Sequence, residues 1–346
     1  MKLNLFILFC TTFALSSCKK SANVPPNLTQ KPDVYVVGYD HTNAVYWKNG
    51  KEIILTKSYS GGTFFSAIAT AITISNNNDV YIVGQGTHEN STTSALLWKN
   101  GVLDTLQSLN EYDGVHYPVT STAWSVAISG SDIYVGGQQH GTVSLNHGAI
   151  IWKNGIPVGY GAGNENISSI VFTNGHLYST GPNGGQTNNF PNYYMDGTIK
   201  DLPSNNYALT WDMGITENDV YVVGQDNNAP VYWKNGLEDT LHLIYPFGEA
   251  NSIAVSGGDV YIGGNQHYAI TAGAIWKNGK LIFLPSPAFK GVWRKIAVNG
   301  PDVYDVGYTD TLTTSSQETS VALFWKNGIK KTLSGPYSNA LNIYIH

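Results

Sequence analysis

"NSIAVSGGDVYIGGNQHYAITAGAIWKNGKLIFL", residues 251–284, holds four short apolar runs separated by turn signals. The runs are "SIAV", "DVYIGG", "GAIW" and "KLIFL". Each is rich in Val, Ile, Tyr, Phe or Trp, residues that suit a pleated, half-buried surface. "SGGD" joins the first two tightly, and Asn278-Gly279 joins the last two. Both central residues of a type I′ turn need positive φ, and Asn-Gly meets that need at little strain. The stretch therefore reads as a four-stranded antiparallel meander whose last corner is spelled Trp-Lys-Asn-Gly.

That tetrapeptide occurs six times, ending at Gly50, Gly101, Gly155, Gly236, Gly279 and Gly328, and "YMDG" (Tyr194 to Gly197) reads as a decayed seventh copy. The second run can be counted independently. It begins at Asp33, Asp79, Asp132, His176, Asp219, Asp259 and Asp302, at intervals of 40 to 53 residues. Four strands per unit at that period is the signature of a β-propeller blade. The first run precedes units two to seven, as "TAITI", "SVAI", "SSIVF", "DMGI", "SIAV" and "KIAV", but nothing like it precedes Asp33. The missing copy is "SNALNIYIH", Ser338 to His346. The sequence thus predicts an all-β, seven-bladed β-propeller over residues 33–346, with four-stranded antiparallel blades and blade one closed by the C-terminal strand.

The pattern "ALLWKNG", a polar loop and "AITISNNNDVYIVG" resembles the extracellular HAF-type repeats of bacterial proteins, which pair an apolar-Trp-x-Asn-Gly hairpin with a strand ending in Val-Gly. The likeness covers nearly all the chain after Lys31. The Asp-Val-Tyr start departs from the Gly-x-Val more usual there, so the match is to a relative. The resemblance implies an architecture and no shared reaction, and a fold does not by itself give a function.

The chain opens "MKLNLFILFCTTFALSSCKK". The apolar run from Leu3 to Leu15 is too short to span a membrane, which takes about 20 residues, but it suits a secretory signal. Leu15-Ser16-Ser17-Cys18 resembles a bacterial lipobox. That resemblance implies removal of residues 1–17, lipidation of Cys18 and a tether over 18–32. An ordinary signal peptide with an incidental Cys is the plainer alternative. Cys10 falls in the removed part, so the mature chain retains one cysteine, acylated, which excludes a disulfide framework. The expected location is the bacterial cell envelope, lipid-anchored and most simply at the outer membrane. The Lys pair after Cys18 gives no sign of the acidic tract that sends some lipoproteins to the cell surface. Charged residues make up 12% of the chain and the net charge is −5. No basic patch for nucleic acid is suggested.

The turns on one face are short, while the second-to-third loops and the connections between blades are long and varied. Binding residues concentrate on loops held by a rigid scaffold, so the long-loop face is the expected working face. Six of the nine Trp belong to the hairpin corners. Trp124, Trp211 and Trp293 remain, each near the start of an innermost strand, and Asp212, Asn251, Arg294 and Lys295 stand close by in their blades. Two readings are open. These indoles wedge the blades apart, or they form an aromatic floor for a glycan or peptide at the channel mouth. Tyr112, Tyr117, Tyr207 and Tyr245 would surround such a floor from the loops.

His41, His88, His140 and His267 recur in second-to-third loops. Imidazole ligates metals readily, yet these sit in different blades without metal-ligand spacing, so no metal site and no cofactor are assigned. No Gly-x-Ser-x-Gly occurs, and "GYGAGN" opens no helix as a phosphate cradle would. The reading is a non-catalytic, monomeric binding or interaction module for a glycan or protein. The alternative is a polysaccharide lyase or glycoside hydrolase on the same face. A lyase would draw on His116, Tyr117 and Arg294, a hydrolase on Asp113, Asp212 and Glu249, whose separation would set the mechanism.

Overall fold

The computed structural model describes residues 31–56, 64–109, 111–112, 115–116, 118–141, 148–161, 166–182, 191–204, 207–267, 271–283, 291–312 and 318–346. Residues 33–346 form one compact unit. It holds seven four-stranded antiparallel sheets and one two-residue hairpin, Glu111–Tyr112 with Val115–His116. No helix occurs among the described residues. The innermost strands are Ser338–Ile345 in blade one, then Ser66–Ile74, Val119–Ser129, Ser169–Thr173, Ala208–Ile215, Phe247–Ser256 and Gly291–Asn299 in blades two to seven. Each touches the next, and the last touches the first, so the blades close a ring. The chain is a seven-bladed β-propeller.

Closure follows the expected route. Ser338–Ile345 pairs antiparallel with Val34–Asp40, from Val34 opposite Ile345 to Asp40 opposite Ser338. Asp33 and His346 exchange backbone hydrogen bonds at 2.9 Å in both directions. The two ends of the propeller are therefore one sheet, and no blade is left with an open inner edge.

The repeated words turn out to be two halves of one clamp. In blade six the Asn278 amide donates to Asp259 Oδ1 at 2.8 Å, and its Oδ1 accepts from the Val260 N–H at 2.9 Å. Lys277 reaches Asp259 Oδ2 at 2.7 Å and lies 5.0 Å above the Tyr261 ring. Asp-Val-Tyr and Lys-Asn-Gly thus fasten the first end of the second strand to the hairpin corner. The same set recurs in blades one, two, three, five and seven. Hydrogen bonds from Lys and Asn hold the clamp aspartates below the usual carboxylate range. Blade four keeps the link with other partners: His176 bonds Asp196 at 2.6 Å, and Asp196 accepts from the Leu177 N–H at 2.9 Å. All seven corners have the positive φ pair of a type I′ turn, from Asn49 and Gly50 to Asn327 and Gly328, with Asp196 and Gly197 in blade four.

The corner tryptophans join blade to blade. Trp47, Trp98, Trp152, Trp233 and Trp276 are fully buried. Their indole N–H groups donate backwards: Trp98 to Thr56, Trp152 to the Gln107 carbonyl, Trp233 to the Pro203 carbonyl, Trp276 to the His242 carbonyl, and Trp47 to Ser334. Each apolar cluster of the core spans two neighbouring blades, as where Tyr221 and Val223 of blade five meet Ile262 and Trp276 of blade six. The large apolar faces are therefore buried between sheets, and an isolated blade would lose both of its faces to water.

Candidate functional site

The innermost strands carry one irregularity, repeated. Pairing with the second strand skips one residue: Thr70, Trp124, Trp211, Asn251, Arg294 and Leu341 in blades two, three, five, six, seven and one. Each is the extra residue of a β-bulge, which breaks the in-out alternation and re-aims one side chain. Ser168 holds the same place just ahead of the inner strand of blade four. The bulge also explains the Gly that stands at the matching place along each second strand or, in blade four, just past it. A Cβ on Gly38, Gly84, Gly137, Gly181, Gly224, Gly264 or Gly307 would collide with the carbonyl oxygen two residues before the bulge.

Six of these seven residues meet around one cavity. Trp124, Ser168, Trp211, Asn251, Arg294 and Leu341 line it, with Asp212, Glu249, Lys295 and Asn342 beside them, around a volume of about 280 Å³. Side chains from blades one and three to seven thus face a common space on the ring's inner side. The expected grouping of Trp124, Trp211, Asp212, Asn251 and Arg294 is present in the structure.

Trp293 departs from expectation. It is 1% exposed and belongs to the core between blades six and seven. Its ring stacks on Phe283 at 5.3 Å and tilts against Trp325 at 5.3 Å. Its strand position is that of Ala69, Ala123, Thr210, Ala250 and Ala340, all buried and all opposite the second-strand Gly. The added bulk is taken up by Gly273, where a Cβ would strike the indole. The counterpart of Trp124 and Trp211 is Arg294, one residue further on. The signal was in the spacing: Trp124, Trp211, Asn251 and Arg294 each stand eight residues before Asp132, Asp219, Asp259 and Asp302.

Asp212 also differs from the role expected of it. It is 3% exposed. Ser169 donates to its Oδ1 at 2.8 Å, while the Ile253 N–H at 3.0 Å and Lys295 at 2.6 Å donate to its Oδ2. These donors come from blades four, six and seven, so Asp212 is a strut across the ring with both of its oxygens bonded to the protein. Sequence reasoning placed Lys295 near the mouth but could not see this partner, 83 residues away. Glu249 accepts at Oε1 from Asn251 and Asn265, both at 3.1 Å, and those amides also reach the Trp293 carbonyl at 3.3 Å. Two further bonds link bulge to bulge: Thr70 to the Ala123 carbonyl at 2.7 Å, and Ser168 to the Trp211 carbonyl at 2.6 Å. Buried polar groups held this fully make a rigid rim.

Arg294 is exposed, with its guanidinium 5.5 Å from the centre of the Tyr308 ring. No carboxylate pairs with it among the described residues. Tyr207 is 53% exposed, and the Tyr245 N–H donates to Gln266 at 3.0 Å; neither lines the cavity. The side chains of Tyr112, Tyr117 and His116 lie outside the described residues, as do Asp113 and Cys18. Three of the loop histidines hold neighbours within their own blades: His41 with Asp40 at 2.8 Å, His88 with Ser94 at 2.9 Å, His267 with Thr271 at 3.0 Å. His140 is engaged as well. Among the described residues no three His, Cys, Asp or Glu side chains gather where they could hold a metal ion.

No family model and no curated protein matches the chain. Solved structures similar to it are propellers or contain them. The extracellular domain of a hybrid two component system from B. thetaiotaomicron aligns at a TM-score of 0.46 and 13% identity, over 80% of this chain and 37% of that one. The extracellular domain of a one component system from the same organism aligns at 0.47 and 12%, over 86% and 44%. The β-propeller domain of the Trilobed protease from Pyrococcus furiosus aligns at 0.48 and 10%, over 88% and 95%. The chain therefore spans well under half the length of the first two. At such scores the seven blades themselves carry the fold assignment.

Proposed function

We propose that this propeller is a non-catalytic binding module of the bacterial envelope, and that its ligand, a glycan in the first place, enters the channel cavity at the bulge ring. One observation carries the reading. Five bulges, each in a different blade, turn Trp124, Trp211, Asn251, Arg294 and Leu341 onto one cavity, where Ser168 joins them from the equivalent place in blade four. A bulge interrupts sheet pairing, and devices of this kind cluster where a side chain has to be re-aimed. Trp124 and Trp211 offer broad apolar faces, which suit the hydrogen-rich face of a sugar ring. The cavity volume, about 280 Å³, lies at the small end of ligand sites, so it would admit one ring or a chain end and not a strand laid across. Against catalysis stands the state of the acids: Asp212 is bonded to the protein at both oxygens and Glu249 is held by two amides. The lipobox-like stretch ending at Cys18 and the likeness to HAF-type extracellular repeats support an envelope location, with the propeller tethered through residues 18–32.

The test is an array of neutral and acidic glycans, with peptides as a second panel, probed with wild type and Trp211→Ala. The reading expects glycan hits that the variant loses by tenfold or more while its melting stays cooperative. Hits that Trp211→Ala keeps at full strength would move the site elsewhere. Lipid attachment is checked separately: Cys18→Ala should release the protein from the membrane fraction and abolish fatty-acid labelling, and unchanged labelling would rule the anchor out.

A further inference from the structure

The polar groups around the cavity divide unevenly once their partners are counted. Three of the four carboxylate oxygens at the cavity accept hydrogen bonds. Both oxygens of Asp212 receive donors, and Lys295 neutralises it at 2.6 Å. Glu249 Oε1 accepts two amides, and His267 lies 4.0 Å away. Three donor groups lack such partners among the described residues. The indole N–H groups of Trp124 and Trp211 are buried and have no hydrogen-bond partner there. The Arg294 guanidinium lies over the Tyr308 ring and pairs with no carboxylate among the described residues. The three residues stand on blades three, five and seven, at the same bulge position, and line the same cavity.

A charged donor left without an acceptor or counter-charge favours a ligand that supplies one. Here the exposed Arg294 cation shares a cavity with two indole rings, and an anionic acceptor would supply the counter-charge it lacks. A guanidinium presents a planar fork that matches a carboxylate in two parallel bonds. A neutral sugar would stack on the indoles but would leave the cation without a counter-charge. On this count we infer that the ligand carries a carboxylate on its sugar ring: a uronic acid residue, with its carboxylate on Arg294 and its ring against Trp124 and Trp211. An acidic peptide offers the same charge but no flat, hydroxyl-edged ring for the indoles. The inference rests on the channel reading above and goes beyond it by naming the ligand's chemical class.

Three probes test it with the full propeller: tri-galacturonic acid, its methyl ester and a neutral tri-galactoside. Binding is followed by ¹⁵N-edited spectra of the indole N–H groups, with Trp124 and Trp211 assigned through their Trp→Phe variants. The inference expects tri-galacturonic acid to move both signals and to bind at least tenfold more tightly than the ester or the galactoside. Arg294→Gln, an exposed change, should melt like wild type and erase that preference. Equal binding of acid, ester and neutral sugar, with both indoles responding, would overturn the carboxylate inference and leave the channel reading standing. Loss of the acid preference without Arg294 playing a part, so that Arg294→Gln discriminates as well as wild type, would also overturn it. An acid that binds without moving either indole signal would overturn both. A short acidic peptide that outcompetes the acid saccharide would replace the ligand class.

Discussion

Replacing Asp305 by Val should stabilise the propeller, and more so as pH rises. Asp305 sits in the second strand of blade seven, where other blades have Val36, Ile82, Val135, Val222 or Ile262. It is 1% exposed, and neither oxygen has a hydrogen-bond partner among the described residues. Burial pushes its carboxyl well above the usual range, and the nearby Val306 amide tempers this only in part, without a hydrogen bond to either oxygen. A group whose pKa is raised on folding favours the native state below its unfolded value. That contribution is lost as pH climbs through the folded value. Removing an unbonded buried polar group is worth about 1–3 kcal/mol in protein mutational series, and Val restores the packing the other blades have. For a chain of this size that corresponds to a rise in melting temperature of about 2–5 °C. The assay is paired thermal melts of wild type and Asp305→Val from pH 4 to pH 8. The difference should be smallest at pH 4 and widen toward neutrality. Asp305→Asn, polar but not titrating, should flatten the pH dependence while recovering less stability. A Val variant that melts below wild type at pH 7, or a gap that stays constant with pH, would refute the reasoning.

Three further outcomes follow from the fold. Deleting residues 338–346 removes the inner strand of blade one, with the buried Ala340 and Ile343, and should lower stability by several kcal/mol and cause association through the freed edge; a truncated chain that melts within 2 °C or so of the full one would end the clasp account. Blade four pairs its second and third strands over only Tyr178, Ser179 and Thr180, against seven rungs in blade six, so its amides should exchange fastest; protection equal to that of blade five would show that the short ladder has no such consequence. Trp293→Ala should cost about 3–5 kcal/mol as a core cavity yet leave ligand affinity unchanged, the reverse of Trp211→Ala; a Trp293→Ala protein that stays stable but loses binding would put Trp293 back at the mouth.

Much of this was legible in the sequence because its repeated words are physical parts. Asp-Val-Tyr and Trp-Lys-Asn-Gly recur together because they close the same clamp, and Asn-Gly marks a turn whose φ values few other pairs adopt. The one missing inner strand located the closure. Blade four looked degenerate by spelling, although His176 and Asp196 keep the link. What the sequence hid was the bulge. One extra residue shifts the register, so aligning Trp with Trp put Trp293 at the mouth, while counting back from the second-strand Asp gives Arg294. The Asp212–Lys295 pair was hidden for a different reason. It joins blades five and seven across the ring, and no local pattern encodes a contact between chain segments that distant.

The most direct measurement is a crystal structure of the propeller with the tightest-binding glycan from the array. The account predicts that glycan in the channel, within van der Waals contact of the Trp124 and Trp211 rings and within hydrogen-bond distance of the Arg294 guanidinium. A glycan seated on the outer strands, or on the face of the Asn-Gly corners, would contradict it.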